Sequence, residues 1–222
     1  MTPDSRFPLV PNGLLFVATD VDPADEPDFN RWYDREHVEE RVRIPGFLSG
    51  ARYVSVQGGR KYLGLYRTQS LGAFTTASYR AAFERQTAWS VANLDRMRDP
   101  MRRVCAVEAV TGAGSGSQLV VLPLPVGCAG SPVARARNAG AQLHEVDGFV
   151  RSCLLVPDAA LSTPLPRESA SGRVLSPLFV VEASTPAAAR ILREGAAAAF
   201  DADPAAAWWY ALGWKLEAAD LA

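Results

Sequence analysis

Hydrophobic positions change period in a fixed order along the chain. Residues 13–21 (GLLFVATDV) form an apolar run of strand length, rich in β-formers. From Pro23 to Gly46 the spacing turns helical. Phe29, Trp32, Tyr33, Glu36, His37, Glu40 and Ile44 recur at helical intervals, Asp25 suits the N-cap with Asp28 in the first turn, and Pro45-Gly46 stops the pattern. Phe47–Gln57 and residues 61–68 read as strands of a hairpin turned at Gly58-Gly59. Residues 70–97 carry Phe74, Tyr79, Phe83, Trp89, Val91 and Leu94 among helix formers and predict one helix, broken by Asp99-Pro100. Residues 104–110 close the series as a fourth strand. The predicted order is βαββαβ.

After a short polar, glycine-rich stretch at 111–117, the plan starts again. Strands are predicted at 118–126, 148–156, 178–183 and 208–217, and helices at 131–144 and 186–200, the latter with Thr185 as cap and Pro186 at its first position. Local matches support the doubling: Ile44-Pro45-Gly46-Phe47-Leu48 corresponds to Val146-Asp147-Gly148-Phe149-Val150, each a helix stop feeding a strand. Residues 157–175, rich in Pro, Ser and Arg, replace the tight Gly58-Gly59 turn, and a loop of that length is either a functional flap or mobile. The division is therefore 1–112 and 113–222. Each unit would form a four-stranded antiparallel sheet with helices on one face, leaving an apolar face that only a second sheet can cover. The two sheets are expected to face each other, making a pseudo-dimer within one polypeptide.

Composition narrows the function classes. At 222 residues, 48% hydrophobic and 21% charged, the chain has an ordinary globular mix. The first unit holds 15 basic against 14 acidic residues and the second 8 against 10, so neither has the positive excess a phosphate backbone demands; nucleic acid is not expected as a partner. No apolar run approaches the ~20 residues needed to cross a bilayer. The first residues, MTPDSRFPLVPNG, lack a cationic patch leading into an apolar stretch, so no signal peptide is read and a cytoplasmic location is the expectation. Cys105, Cys128 and Cys153 are unclustered in apolar surroundings and read as core residues without a disulfide. The glycine-rich 112–116 lacks the Gly-Lys-Ser/Thr of a phosphate loop and reads as linker.

The stretch Phe29 to Arg41 (FNRWYDREHVEER), with Ile44-Pro45-Gly46-Phe47, then Lys61-Tyr62-Leu63-Gly64-Leu65-Tyr66, Ser78-Tyr79-Arg80 and Thr87-Ala88-Trp89, resembles the EthD-like branch of the dimeric α/β barrel superfamily. The resemblance covers residues 13–110; the second unit matches in plan. It implies an α+β fold: two fused ferredoxin-like βαββαβ units whose antiparallel sheets pack as an intramolecular dimeric α/β barrel, with a small-molecule pocket inside a unit. The superfamily includes cofactor-independent monooxygenases, cyclases, isomerases and haem enzymes, and fold does not choose among them. No cofactor is expected here. Counting back from Gly148-Phe149, Ala139 stands in the place of His37 and Ala134 in that of Trp32, so a site of the family type would survive only in the first unit.

His37 is the sharpest candidate. Its position, about 80° from Phe29 around an α-helix, puts it at the margin of the inward stripe. Asp34, three residues earlier, is in reach to orient the imidazole as a general base, with Glu40 and Arg41 one turn later. Read otherwise, His37 joins a salt-bridge network at the helix rim. Asp34, His37 and Glu40 could also offer metal ligands, but one histidine among carboxylates is better explained as a solvated helix face, and no metal is expected. Trp32, Tyr33, Tyr53, Tyr66 and Trp89 would line an aromatic cavity in which a flat ligand stacks, or serve as plain core. Three readings result: a cofactor-free enzyme whose oxygenation, cyclisation or isomerisation of an aromatic or polyketide-like carbonyl compound opens with proton transfer; a non-catalytic binder of a hydrophobic small molecule; and an interaction module with a filled barrel. The fused chain would be self-sufficient as a monomer, with further homodimerisation left open.

Overall fold

Side chains alternate along β1 (Gly13–Asp20): Leu14, Phe16 and Ala18 join one apolar cluster, Leu15 and Val17 another, and all five are buried. A strand covered on both faces lies between two layers, and that is its place in the computed structural model, which describes residues 12–125 and 131–221. The first half continues with α1 (Glu26–Trp32), a π-helical turn (Tyr33–His37) and α2 (Val38–Val42), then β2 (Phe47–Gln57), β3 (Tyr62–Thr68), α3 (Ala77–Glu84), α4 (Ala88–Asp95) and β4 (Arg98–Gly112). The second contains β5 (Gln118–Pro123), α5 (Pro132–Leu143), β6 (Phe149–Pro157), β7 (Leu178–Ala183), α6 (Pro186–Ala199) and β8 (Trp208–Glu217).

The strands close into one antiparallel barrel in the order β1-β3-β2-β8-β5-β7-β6-β4. The two sheets thus face each other as opposite walls, joined edge to edge by β2–β8 and β4–β6, which leaves no free sheet edge. Registers repeat between the halves. Phe47 pairs with Thr68 and Ser49 with Arg67 across a bulge; Phe149 pairs with Ala183 and Arg151 with Glu182 across another. Gly46 and Gly148, at φ +93° and +86°, end the helical segments in the same left-handed conformation, as the sequence match predicts. Gly58 and Gly59 both have positive φ, the signature of a two-residue hairpin turn.

Three apolar layers result. The barrel interior holds Phe16, Leu63, Leu65, Leu119, Val121, Leu155, Leu178 and Tyr210. Between the first-half sheet and its helices lies an aromatic layer including Phe29, Trp32, Tyr33, Tyr66 and Tyr79; the second-half layer is built largely of alanine and leucine. Burying each large apolar side chain contributes about 1.5–3 kcal/mol, so both faces of the sheet stabilise the closed form.

Three expectations need correction. The single helix over 70–97 is a 3₁₀ turn (Leu71–Thr75), α3 and α4, because Thr76 and Thr87 each cap a new start by accepting from Tyr79 N and Ser90 N. The strand at 104–110 runs from Arg98 to Gly112: Asp99 takes a positive φ at its start and Ala109 sits at a register shift against β6. Ala134 is exposed and so does not match buried Trp32; the π turn puts one extra residue into the first-half helix, which displaces the count there, whereas Ala139 is buried. Trp209 turns to the helix layer of the second half while Trp208 packs against the barrel interior. Cys105 and Cys153 are free and buried; Cys128, the end of the predicted strand 118–126 and the N-terminal segment lie outside the described residues. No helix among the described residues is long and apolar enough to cross a membrane.

Candidate active site

The π turn decides where His37 goes. Tyr33 O accepts from Val38 N, one residue further than in an α-helix. An inserted residue sets the helix back by about 100°, which offsets the ~80° by which a regular helix would carry His37 away from Phe29. The imidazole accordingly lies on the inward stripe, 8% exposed, with ring centroids 4.3 Å from Trp32 and 5.0 Å from Tyr33. Trp32 is fixed in turn: its Nε1 donates to Ser90 Oγ at 3.0 Å, and Ser90 Oγ donates to Glu36.

His37 lines a cavity of about 30 Å³ between the helices and the outer face of the first-half sheet. Leu15, Val17, Leu94, Met97 and Leu165 supply apolar walls, and His37, Arg41, Tyr66, Gln86 and Arg102 the polar ones; among the described residues no carboxylate lines it. Such a volume holds a water or two. Three buried polar atoms in these walls have no hydrogen-bond partner: His37 Nδ1, Arg41 Nη1 and Tyr66 Oη. Orphaned atoms of this kind cost about 1–3 kcal/mol each, more for a charge, and the three residues that carry them line one space.

The electrostatics follow from burial. Desolvation holds the His37 imidazole well below its ordinary range, and Arg41 and Arg52 push the same way, so it is neutral at physiological pH. Burial, with Tyr33 alongside, drives the Tyr66 phenol well above its usual range, so it remains a hydrogen-bond donor. Arg41 is only 4% exposed, and its guanidinium carbon sits 4.9 Å from the centre of the Phe83 ring.

A strap from the other half covers this region. Residues 158–177, between β6 and β7, cross onto β4 and place Leu165 in the cavity wall. Ser162 Oγ accepts from Val104 N and donates to Val104 O; Arg102 Nη1 donates to the carbonyls of Leu161 and Thr163. Against the cost of burial, hydrogen bonds from Arg173, Arg103 and the Arg102 amide hold Glu168 below the ordinary carboxylate range. The flap is therefore tied down by buried ion pairs. Just outside lies a surface cleft of about 260 Å³, which shares Phe83 and Arg102 with the inner cavity and adds Phe74, Tyr79 and Arg80. Phe83, itself exposed, stands in the wall between the two.

The predicted site residues separate into two groups. Trp32, Tyr33 and Tyr66 gather around His37. Asp34 does not orient the imidazole: its side chain, 47% exposed, accepts from Arg52 Nη1 at 2.8 Å and Trp214 Nε1 at 2.9 Å. Tyr53, on the opposite face of β2, belongs to the barrel interior and is away from the cavity. Trp89 donates to the Asp28 carboxylate and does not line the cavity. Glu40 and Asp34 form no cluster with His37 that could hold a metal among the described residues. Sequence reasoning missed Arg102 and Leu165 altogether and gave Arg41 only a helper's place. Buried arginines look like surface charges in a pattern of helical spacing, and Leu165 sits in a loop of the other half.

No family model matches the chain, and no curated protein sequence does, so the EthD-like resemblance rests on the residues that carry it. Solved structures do match. An anthrone oxidase-like protein superposes with a TM-score of 0.64 at 12% identity, over 93% of this chain and 92% of its own. A candidate monooxygenase from Fusobacterium nucleatum subsp. nucleatum ATCC 25586 gives 0.56 at 8% identity, over 93% and 94%. Another from Lactobacillus acidophilus NCFM gives 0.53 at 8% identity, over 93% and 97%. At such identities the likeness establishes architecture, and with the closed eight-stranded sheet it identifies the chain as having the dimeric α/β barrel fold, made here from a single polypeptide.

Proposed function

We propose that the His37 cavity removes a proton from an enolisable, hydrophobic aromatic ketone, anthrone being a representative, and stabilises the resulting enolate. The observation that carries this reading is the convergence of three unpartnered buried polar atoms, on His37, Arg41 and Tyr66, in an apolar space with no carboxylate. Each has a distinct part. A neutral imidazole accepts the proton from carbon. The Arg41 guanidinium and the Tyr66 hydroxyl donate to the ketone oxygen as negative charge develops there, in surroundings where water does not compete. The low basicity of buried His37 is offset as the reaction proceeds, because the imidazolium forms beside an enolate of opposite charge.

In the closed form the inner cavity is too small for a ring system, so the ligand enters from the outer cleft as Phe83 swings aside. Where oxidation follows, one dioxygen converts the methylene to a carbonyl and leaves as one water plus the new carbonyl oxygen. The anthrone oxidase-like neighbour makes that outcome the first to test.

Hydrogen–deuterium exchange at the methylene of anthrone, followed by NMR without regard to any later step, reads the proton transfer directly. His37→Gln is expected to lower the catalysed exchange ~10²–10⁴-fold while leaving the melting temperature within a few degrees. Exchange at the wild-type rate in that variant would overturn the mechanism. Thermal stabilisation by anthrone with no catalysed exchange in the wild type would favour the non-catalytic binder.

A further inference from the structure

Charged residues inside a barrel are costly, and one end of this barrel holds three. Arg67 on β3, Arg151 on β6 and Glu182 on β7 all point inward, above a floor formed by Leu14, Leu65, Leu119, Leu155 and Val180. Arg67 pairs with Glu182 across the barrel, and Glu182 Oε2 also accepts from Gly116 N at 2.9 Å. The paired strand registers put Arg67 and Glu182 at corresponding positions of the two halves. A symmetric assembly of identical chains would place like charges there, so this contact belongs to the fused chain.

Arg151 is the unbalanced member. It is 8% exposed, its Nε has no hydrogen-bond partner, and it forms no ion pair among the described residues. One carboxylate therefore serves two guanidiniums in a low-dielectric end of the barrel. A lysine or histidine so placed could relieve the excess by losing its proton; an arginine cannot. With no further carboxylate beside it among the described residues, an anion from solution would supply the balance. Beside Arg67, Arg151 and Glu182 is a cavity of about 20 Å³, enough for one water-sized particle. Cys153, also in its wall, stays a thiol because burial pushes it up to about 11, so it supplies no negative charge.

We propose that this end of the barrel binds one small monovalent anion, of halide size, between Arg151 and Arg67. The bound ion balances the second guanidinium and fastens β3 of the first half to β6 and β7 of the second. The site lies inside the barrel, on the opposite face of the sheet from the His37 cavity, and is independent of the function proposed there.

The full chain tests it in two measurements. Melting temperature is followed while sodium gluconate, whose anion is too large for the cavity, is replaced by chloride or bromide at constant ionic strength. A saturable rise of roughly 5 °C is expected for the small anions, with chloride and bromide ranking by fit. Arg151→Met should abolish the response, and Arg151→Lys, which keeps the charge without Nε, should weaken the apparent affinity at least tenfold. A crystal grown in bromide should show an anomalous peak within hydrogen-bonding distance of Arg151 Nε. No saturable response in the wild type, an undiminished response in both variants, or bromide at scattered surface positions as an adventitious ion only would each overturn the proposal. Should Arg151→Met fail to fold, the wild-type salt series, Arg151→Lys and the bromide peak still decide it.

Discussion

The two halves place helices over the same kind of sheet with different outcomes. In the second, Ala136, Ala139, Ala188, Ala189 and Ala196 let α5 and α6 settle close to the strands, and a Cβ at Gly140 would fall 2.5 Å from Thr111 Oγ1 and 2.7 Å from Ser152 Oγ. In the first, Phe29, Trp32, Tyr33, Tyr66 and Tyr79 fill the corresponding layer, and rigid rings of that size leave a hollow beside them. Small side chains close a layer; large planar ones, with a π turn and two buried arginines, hold it open around His37. Among the described residues, the same fold thus supplies one layer of small side chains and one of large rings, with the His37 cavity beside the rings.

Substitutions can break that contrast from either side. Trp32→Ala should cost the most, about 3–5 kcal/mol by chemical denaturation, because it removes a fully buried indole, the ring packed against His37 and the bond to Ser90. A loss under 1 kcal/mol would mean the aromatic layer is not what supports the first half. Ala139→Leu in the filled layer should destabilise by about 1–3 kcal/mol through overpacking; a neutral or stabilising result would reveal unfilled space there. The histidine gives a pH signature. Its folded-state value is depressed, so its share of stability is complete above the unfolded value of about 6.5 and is lost as pH falls from there toward the lowered value. The slope approaches about 1.4 kcal/mol per pH unit, and denaturation midpoints of His37→Gln should lack it. Proton abstraction should for the same reason hold steady as pH drops from 8 to 6, since the base stays neutral; a decline centred near 6.5 would contradict the burial. Arg43→Ala removes an exposed i,i+4 pair with Glu39 and should change stability by less than about 0.5 kcal/mol.

Much of this was legible in the chain. Alternation of period located each described strand, and the Gly46 and Gly148 stops could be read because a left-handed residue after a helix demands glycine locally. His37, Trp32 and Tyr33 could be selected since aromatic residues at helical spacing must find a buried surface. Strand alternation alone puts Tyr53 and Tyr66 on their faces, yet without the pairing of β2 with β3 nothing says which face is the barrel interior. The threonine caps at 76 and 87 were readable and were overlooked, which fused two helices into one.

Other features have no local signature. Asp34 sits three residues from His37, but its partners are Arg52 on β2 and Trp214 on β8, 180 residues away along the chain. Leu165 and the Glu168 strap reach the first half only because the barrel closes through β4–β6. Arg41, Arg102 and Arg151 look like surface charges until neighbouring layers bury them. Sequence by itself determined the elements, their order and the aromatic stripe, since these depend on period and on backbone conformation at single residues. Which charges lost their water, which polar atoms were left without partners and where the His37 hollow lies were decided by the tertiary structure, because desolvation and packing are set by residues distant in the chain.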